Sequence, residues 1–379
     1  MASPKYTLFS VDDHIIEPPN VWTDRLPSKY GDQIPHVVDE DGRQYWIWEG
    51  QKLTQMGLNA VAGKPQEEWN TDPVRFSDMI PGCYDPAERA KDMRRDGILA
   101  TLCFPTLAGF GGRVLNNYAD KELATLCVQA YNDFILDEWC AAAPEMYVPM
   151  IIGQLWDPVG MAAEIRRCAE RGARALTFPE GTVSLGLPSL FSDYWDPIFR
   201  ACEETEVVVC MHIGSSGELF NPAPDGHFII PIALGNLNAQ AAMVTFAMSP
   251  VPRKFPDIKL AISEGGIGWI AAALERADRQ FQKHRLHQHM DDLLPSEVWH
   301  RNIWGCMIDE PIGLKSRYDI GIDKILWECD YPHCDSTWPH SQKLVQEFMG
   351  DLPDEEITAI THGNAEKLFR WKIGVGPVD

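Results

Sequence analysis

Apolar runs alternate with amphipathic stretches along most of this chain. The runs fall at residues 7–14, 100–105, 147–153, 174–179, 207–212, 258–263, 302–308 and 325–330. They are continuous rather than strictly alternating, which suits parallel strands covered on both faces. Between them the spacing turns helical. Residues 157–172 open on Asp157 as N-cap with Pro158 at the first helical position, and they stop at Gly172. In residues 268–284, Ile270, Leu274, Ala277 and Phe281 form one stripe, and Glu275 and Arg279 pair at i, i+4. Strands alternating with helices in this way predict an α/β fold, a (β/α)8 TIM-type barrel in which residues 1–379 form a single domain.

The rhythm fails between Glu17 and Asp85, a stretch rich in Pro, Trp, Asp and Gly in which residues 45–50 read as a short hairpin strand. An insertion after strand 1, at about residues 20–84, lies on the catalytic face of such a barrel. A lid-like or substrate-binding role is expected, with a packing extension or dimer contact as the alternative. Its Trp22, Trp46, Trp48 and Trp69, with Arg75, would either build an aromatic pocket holding a cation for a carboxylate or pack as core.

Candidate chemistry gathers at the strand ends. Residues i and i+2 of a strand share a face, so Asp12 and His14 are placed to reach one ion together, whereas Asp13 points the other way. Two more runs end in ligand types, one at His212 and one at Asp330. Carboxylates and imidazoles together suit Zn²⁺ first, with Mn²⁺ or Fe²⁺ as alternatives, and they differ from the thiolate set of a structural zinc site. No GxGxxG, P-loop or GxSxG pattern stands in its required context, and Ser215-Ser216-Gly217 reads as loop. His284, His287 and His289 read as surface residues at a helix end.

Charge narrows the partners. With 33 Lys and Arg against 55 Asp and Glu, the net charge of −22 repels nucleic acid and anionic membranes, so neither is an expected partner. No apolar run approaches the roughly 18 residues of a membrane span. Residues 1–5 lead into the first strand with no apolar signal-peptide core. The 10 cysteines form no CxxC pair and several lie inside apolar runs; they read as reduced thiols of a cytoplasmic protein, with Cys210 and Cys329 filling core space.

The motifs themselves resemble a known family. The opening Thr7-Leu8-Phe9-Ser10-Val11-Asp12-Asp13-His14-Ile15-Ile16-Glu17-Pro18 is similar to that of the amidohydrolase-related (amidohydrolase 2) proteins, which include aminocarboxymuconate semialdehyde decarboxylase and γ-resorcylate-type decarboxylases. Met211-His212-Ile213-Gly214 resembles that family's strand-5 histidine segment, and Glu328-Cys329-Asp330-Tyr331-Pro332-His333 resembles its strand-8 aspartate motif. Residues 360–369 resemble its C-terminal signature, in which His362 is expected to be structural. The resemblance implies one divalent ion held by His14, His212 and Asp330, with Asp12 where the family commonly has His or Glu. The decarboxylases carry a His-Gly pair after strand 6. Here Glu264-Gly265 stands in that place.

These residues imply a divalent-metal enzyme acting on a small-molecule substrate, with Asp330 and Glu264 as catalytic groups and His333 in reach of the substrate. Glu264 would serve as general acid/base if burial raised its pKa toward neutral; bridging to His212 or capping the following helix are its other readings. Non-oxidative decarboxylation of a carboxylated aromatic or dienyl compound is the leading expectation. Metal-dependent hydrolysis of an ester, amide or lactone is the alternative, and a non-catalytic metal-free barrel the second. The family also implies a homodimer.

Overall fold

The computed structural model describes residues 5–378; residues 1–4, within the stretch read above as leading into the first strand, and residue 379 lie outside the described residues. Eight parallel strands form the barrel: β1 (Leu8–Ile15), β2 (Ile98–Pro105), β3 (Met150–Ile151), β4 (Ala175–Pro179), β5 (Val208–His212), β6 (Leu260–Ser263), β7 (Ile303–Met307) and β8 (Ile325–Trp327). Strands β3 to β8 pair in sequence order, and β1 pairs with β2. A bridge from Thr101 to Tyr147 links the second run to the third. The barrel closes where Asp330 N–H donates to Asp12 O at 2.7 Å and His14 N–H donates to Tyr331 O at 2.6 Å. All eight expected runs thus fall in strands, although β3 and β8 are shorter than their apolar runs.

Inside the barrel, Phe9, Val11, Leu102, Met150, Ala175, Cys210, Ala261, Cys306 and Leu326 form one buried cluster. Ala365, Leu368, Phe369 and Trp371 join it from the C-terminal segment and plug the floor. Asn364 fastens that segment by donating to Ile322 O at 2.8 Å and Ile325 O at 2.9 Å. The outward faces pack on the helices. The predicted helices appear as Pro158–Glu170, capped by Asp157, and Ile270–His284, which buries Ile270, Ala273, Leu274, Ala277 and Phe281. All 10 cysteines are unpaired and nine are buried. No helix among the described residues is long and apolar enough to cross a membrane.

After β1 the chain builds a three-stranded antiparallel sheet from residues 36–40, 43–48 and 51–53, followed by short helical turns. Trp22, Trp46 and Trp48 pack edge to face with ring centres 4.8–5.3 Å apart. All three are buried in the main core, and Arg75 pairs with Asp39 at 3.2 Å. For these three, packing is the sequence reading realised; Trp69 is half-buried outside that core and donates its Nε1–H to Lys64 O at 3.2 Å. The segment also reaches the mouth, where Val61 and Ala62 N–H donate to Pro332 O at 3.0 and 3.3 Å.

Candidate metal centre

The i, i+2 logic for Asp12 and His14 needs one refinement. Phe9 and Val11 face the barrel interior, so plain alternation would send Asp13 inward. The pairing of β1 with β2 slips between Ser10 and Asp13: Ser10 opposes Thr101, and Asp13 opposes Cys103. A bulge of this kind re-aims the side chains beyond it. Asp12 and His14 therefore turn into the barrel. Asp13 turns out, where it accepts hydrogen bonds from Thr101 Oγ1 and Tyr331 N–H.

At the C-terminal mouth, Asp12, His14 and His212 offer ligand atoms within 4.8 Å of one another, as do His14, Asp330 and His333. His212 Nε2 lies 3.2 Å from His14 Nε2, 3.3 Å from Asp12 Oδ2 and 3.0 Å from Glu264 Oε2. His14 Nε2 lies 3.4 Å from Asp12 Oδ1 and 3.2 Å from Asp330 Oδ1. His333 stacks on His14 at 3.7 Å and puts Nδ1 3.1 Å from Asp330 Oδ1. Every sequence-predicted site residue is therefore brought to one place. Among the described residues no other group hydrogen-bonds the oxygens of Asp12 or Asp330, although both side chains are buried. His212 Nδ1 meets Ile213 O at 2.5 Å, which leaves Nε2 as a lone-pair donor toward the cluster. Converging acceptors with no hydrogen to share fit a divalent cation.

The electrostatics agree with that fit. Burial, then the Glu328, Asp330 and Glu264 charges, push the Asp12 carboxyl well up; burial and Glu264 do the same to Asp330. Burial holds His14 well below the ordinary histidine value, with His333 and His212 adding to it, and lowers His333 to about 4. Both rings are thereby kept in the neutral, ligating form. Burial raises the Glu264 carboxyl, and the His212 imidazole, 3.0 Å away, pulls it below the ordinary value when that ring carries a proton. Both Glu264 and Asp330 adopt left-handed backbone, with φ of +53° and +60°.

Several residues at the mouth escaped the sequence reading. Phe110, on the loop after β2, lies against both imidazoles, 4.7 Å from His14 and 4.4 Å from His212. Its backbone carbonyl accepts from Thr177 Oγ1 of β4, so the loop covers the β2–β5 side. On the β5–β8 side a cavity of about 550 Å³ opens. Ile213, Ile308, Ile312 and Trp269 give it apolar walls, and five carboxylates line it: Glu264, Asp309, Glu310, Glu328 and Asp335. Among the described residues no Lys, Arg or His lines it. Glu328 is buried and accepts Glu264 N–H at 3.1 Å; burial and the neighbouring acids push its carboxyl well up. Asp309 and Glu310 follow β7 directly, so the strand-end logic used for the other strands would have found them.

A (β/α)8 barrel whose mouth collects buried carboxylates and imidazoles around an ion-sized gap is a metal-dependent barrel of hydrolase or carboxy-lyase type. The amidohydrolase family profile matches residues 36–371, and the chain belongs to that family. It is an enzyme, a metal-dependent carboxy-lyase or hydrolase, which sets aside the non-catalytic barrel. Among solved structures it resembles an amidohydrolase from Mycobacterium avium subsp. paratuberculosis K-10, with 20% identity and a TM-score of 0.76 over 96% of this chain and 99% of that one. A 5-carboxyvanillate decarboxylase from Sphingomonas paucimobilis follows at 19% identity and 0.67, covering 97% and 99%. A dihydroxybenzoic acid decarboxylase from Polaromonas sp. JS666, with bound manganese and the inhibitor 2-nitroresorcinol, matches at 16% and 0.64 over 96% and 97%. These likenesses fix the fold alone. No curated protein matches the chain.

Proposed function

We propose that the enzyme is a hydrolase of a small ester, amide or lactone whose remaining part is neutral or positively charged. The observation that carries this reading is the cavity beside the cluster, lined by five carboxylates and by no basic side chain. Two like charges about 4 Å apart at an effective dielectric near 20 repel by about 4 kcal/mol, and a tenfold affinity change is about 1.4 kcal/mol. An anionic substrate arm is therefore rejected even with Glu328 protonated. Asp12, His14, His212 and Asp330 would hold the ion, Zn²⁺ by the ligand set, with Mn²⁺, the ion bound by the Polaromonas decarboxylase, as the alternative. Bound there, it supplies Lewis acidity and makes water a nucleophile near neutral pH.

In this reading Asp330 takes the proton of the attacking water at Oδ1. His333, 3.1 Å away, carries that proton to the departing oxygen or nitrogen as the bond from the carbonyl carbon breaks. Glu264 remains charged at the cavity wall and receives a positive or N–H group of the substrate. Phe110 closes the opposite side, so substrate enters past Trp269. The whole chain acts as one catalytic domain, and the insertion at about residues 20–84 braces the β8 loop through Pro332 as a partial lid. A cytoplasmic homodimer is the working form that reduced thiols and the family support.

Decarboxylation is the second reading, and the His333–Asp330 pair favours it, because that pair could equally deliver a proton to a carbon that loses CO₂. One panel separates the two. Esters, amides and lactones with neutral or ammonium-bearing arms are assayed for acid release, and hydroxybenzoates and muconate-like acids for CO₂. Acid release that is fastest with the cationic arms is expected; CO₂ release without hydrolysis would overturn the proposal. Absence of bound divalent metal, with Asp330→Asn as active as the native enzyme, would overturn both readings.

A further inference from the structure

Beneath the centre lies a guanidinium with no exposure to solvent. Arg89 comes from the helix Pro86–Arg95 and is completely buried. A buried cation needs partners on every side. Its Nη2 donates to the backbone carbonyl of His14 at 2.6 Å and its Nε to the carbonyl of Gly82 at 2.7 Å. Its Nη1 lies 3.7 Å from Cys103 Sγ, and its plane covers the Tyr331 ring with the centroid 4.1 Å away. Tyr331 is the residue after Asp330. Its N–H donates to Asp13, and its hydroxyl donates to Asp92 at 2.8 Å.

Several of these links join backbone next to a proposed ligand. Asp13 sits between Asp12 and His14. The peptide of His14 is held at both ends, its N–H by Tyr331 O and its carbonyl by Arg89. Asp330 N–H is held by Asp12 O. We propose that Arg89 is the positioning residue that fixes β1 against the β8 loop and thereby sets how tightly the centre binds its divalent ion. The inference rests on the metal reading above and goes beyond it to a residue that touches no ligand side chain. Arginine suits the task because its planar fork bonds two carbonyls while stacking on a ring, which a lysine ammonium cannot do.

The test is metal affinity, measured on apo protein by competition for Mn²⁺ and Zn²⁺ against a chromophoric chelator, with urea unfolding of the same apo samples. Arg89→Lys keeps the buried charge but loses the fork. It is expected to weaken ion binding by about 10- to 100-fold, the usual cost of removing an outer-shell support. Should that variant fail to fold, Asp13→Asn with Arg89→Met removes both buried charges together, and the same weakening is expected. Native ion affinity in either folded variant would overturn the inference. A wild-type protein that binds neither ion would overturn it together with the metal reading, whereas tight wild-type binding unaffected by the substitutions would overturn it alone.

Discussion

Glu180 and Glu264 each follow a barrel strand by one residue, and each borders a cavity, of about 530 and 550 Å³ respectively. Their surroundings differ. Glu180 accepts from Gly214 N–H, Ser215 N–H, Ser215 Oγ, Ser216 Oγ and Asn238 Nδ2, all at 2.8–3.0 Å. It is spent on holding the loop after β5. Glu264 has a single side-chain partner, His212 Nε2, and its remaining acceptor capacity faces the cavity. Cavity size does not distinguish these two carboxylates, whereas the number of donors already committed to each does. The same comparison explains Ser215 and Ser216, whose hydroxyls are engaged with Glu180 and are not nucleophiles.

The widest test of this contrast exchanges each carboxylate for its amide. Glu264→Gln is expected to lower kcat/KM by about 10- to 100-fold on a cationic-arm substrate from the panel, the usual worth of a hydrogen bond to a charged group, without lowering the urea midpoint. Glu180→Gln is expected to do the reverse, losing about 2 kcal/mol of stability because an amide cannot accept from all those donors. Equal effects of the two substitutions on kcat/KM would erase the distinction.

A smaller effect is expected at the cavity rim, where Asp309 and Asp335 sit with their carboxyls raised by burial. Asp309→Asn with Asp335→Asn should raise KM for an ammonium-bearing substrate by about tenfold and leave a neutral analogue unchanged. A parallel rise for both would show that the rim acts by shape and not by charge.

A slope with pH and not a step is expected at Glu17, a third carboxylate just past a strand and one saturated like Glu180. It accepts from the backbone N–H of Thr106, Leu107 and Ala108, and burial pushes its carboxyl from the ordinary 4.5 to about 7. Between those values the native chain holds a proton that the unfolded chain has released. Its contribution to stability therefore falls as pH rises through that window, by at most about 3 kcal/mol. Glu17→Gln should flatten that part of the urea-midpoint profile; an unchanged slope would place the titration elsewhere.

Much of this architecture was legible in the sequence because parallel strands covered on both faces leave continuous apolar runs. The ligand cluster was legible because barrels of this kind bring strand ends together. Asp12, His14, His212, Glu264, Asp330 and His333 all converge. What stayed hidden depends on geometry that periodicity does not carry. The bulge between Ser10 and Asp13 is a register event with no composition signal. Phe110 reaches the centre only through the path of its loop. Arg89 lies on a helix with nothing in its spacing to mark it, and only the contacts of its own side chain with Gly82, His14, Cys103 and Tyr331 enclose it.

The left-handed backbone at Glu264 and Asp330 has its own consequence. Any side chain there costs about 1–2 kcal/mol relative to glycine, which adopts the conformation freely. Both positions carry a carboxylate nonetheless. Selection for thermal endurance alone would favour glycine at both corners, so on the roles proposed for Glu264 and Asp330 these are the positions where a lineage that abandoned catalysis would first decay.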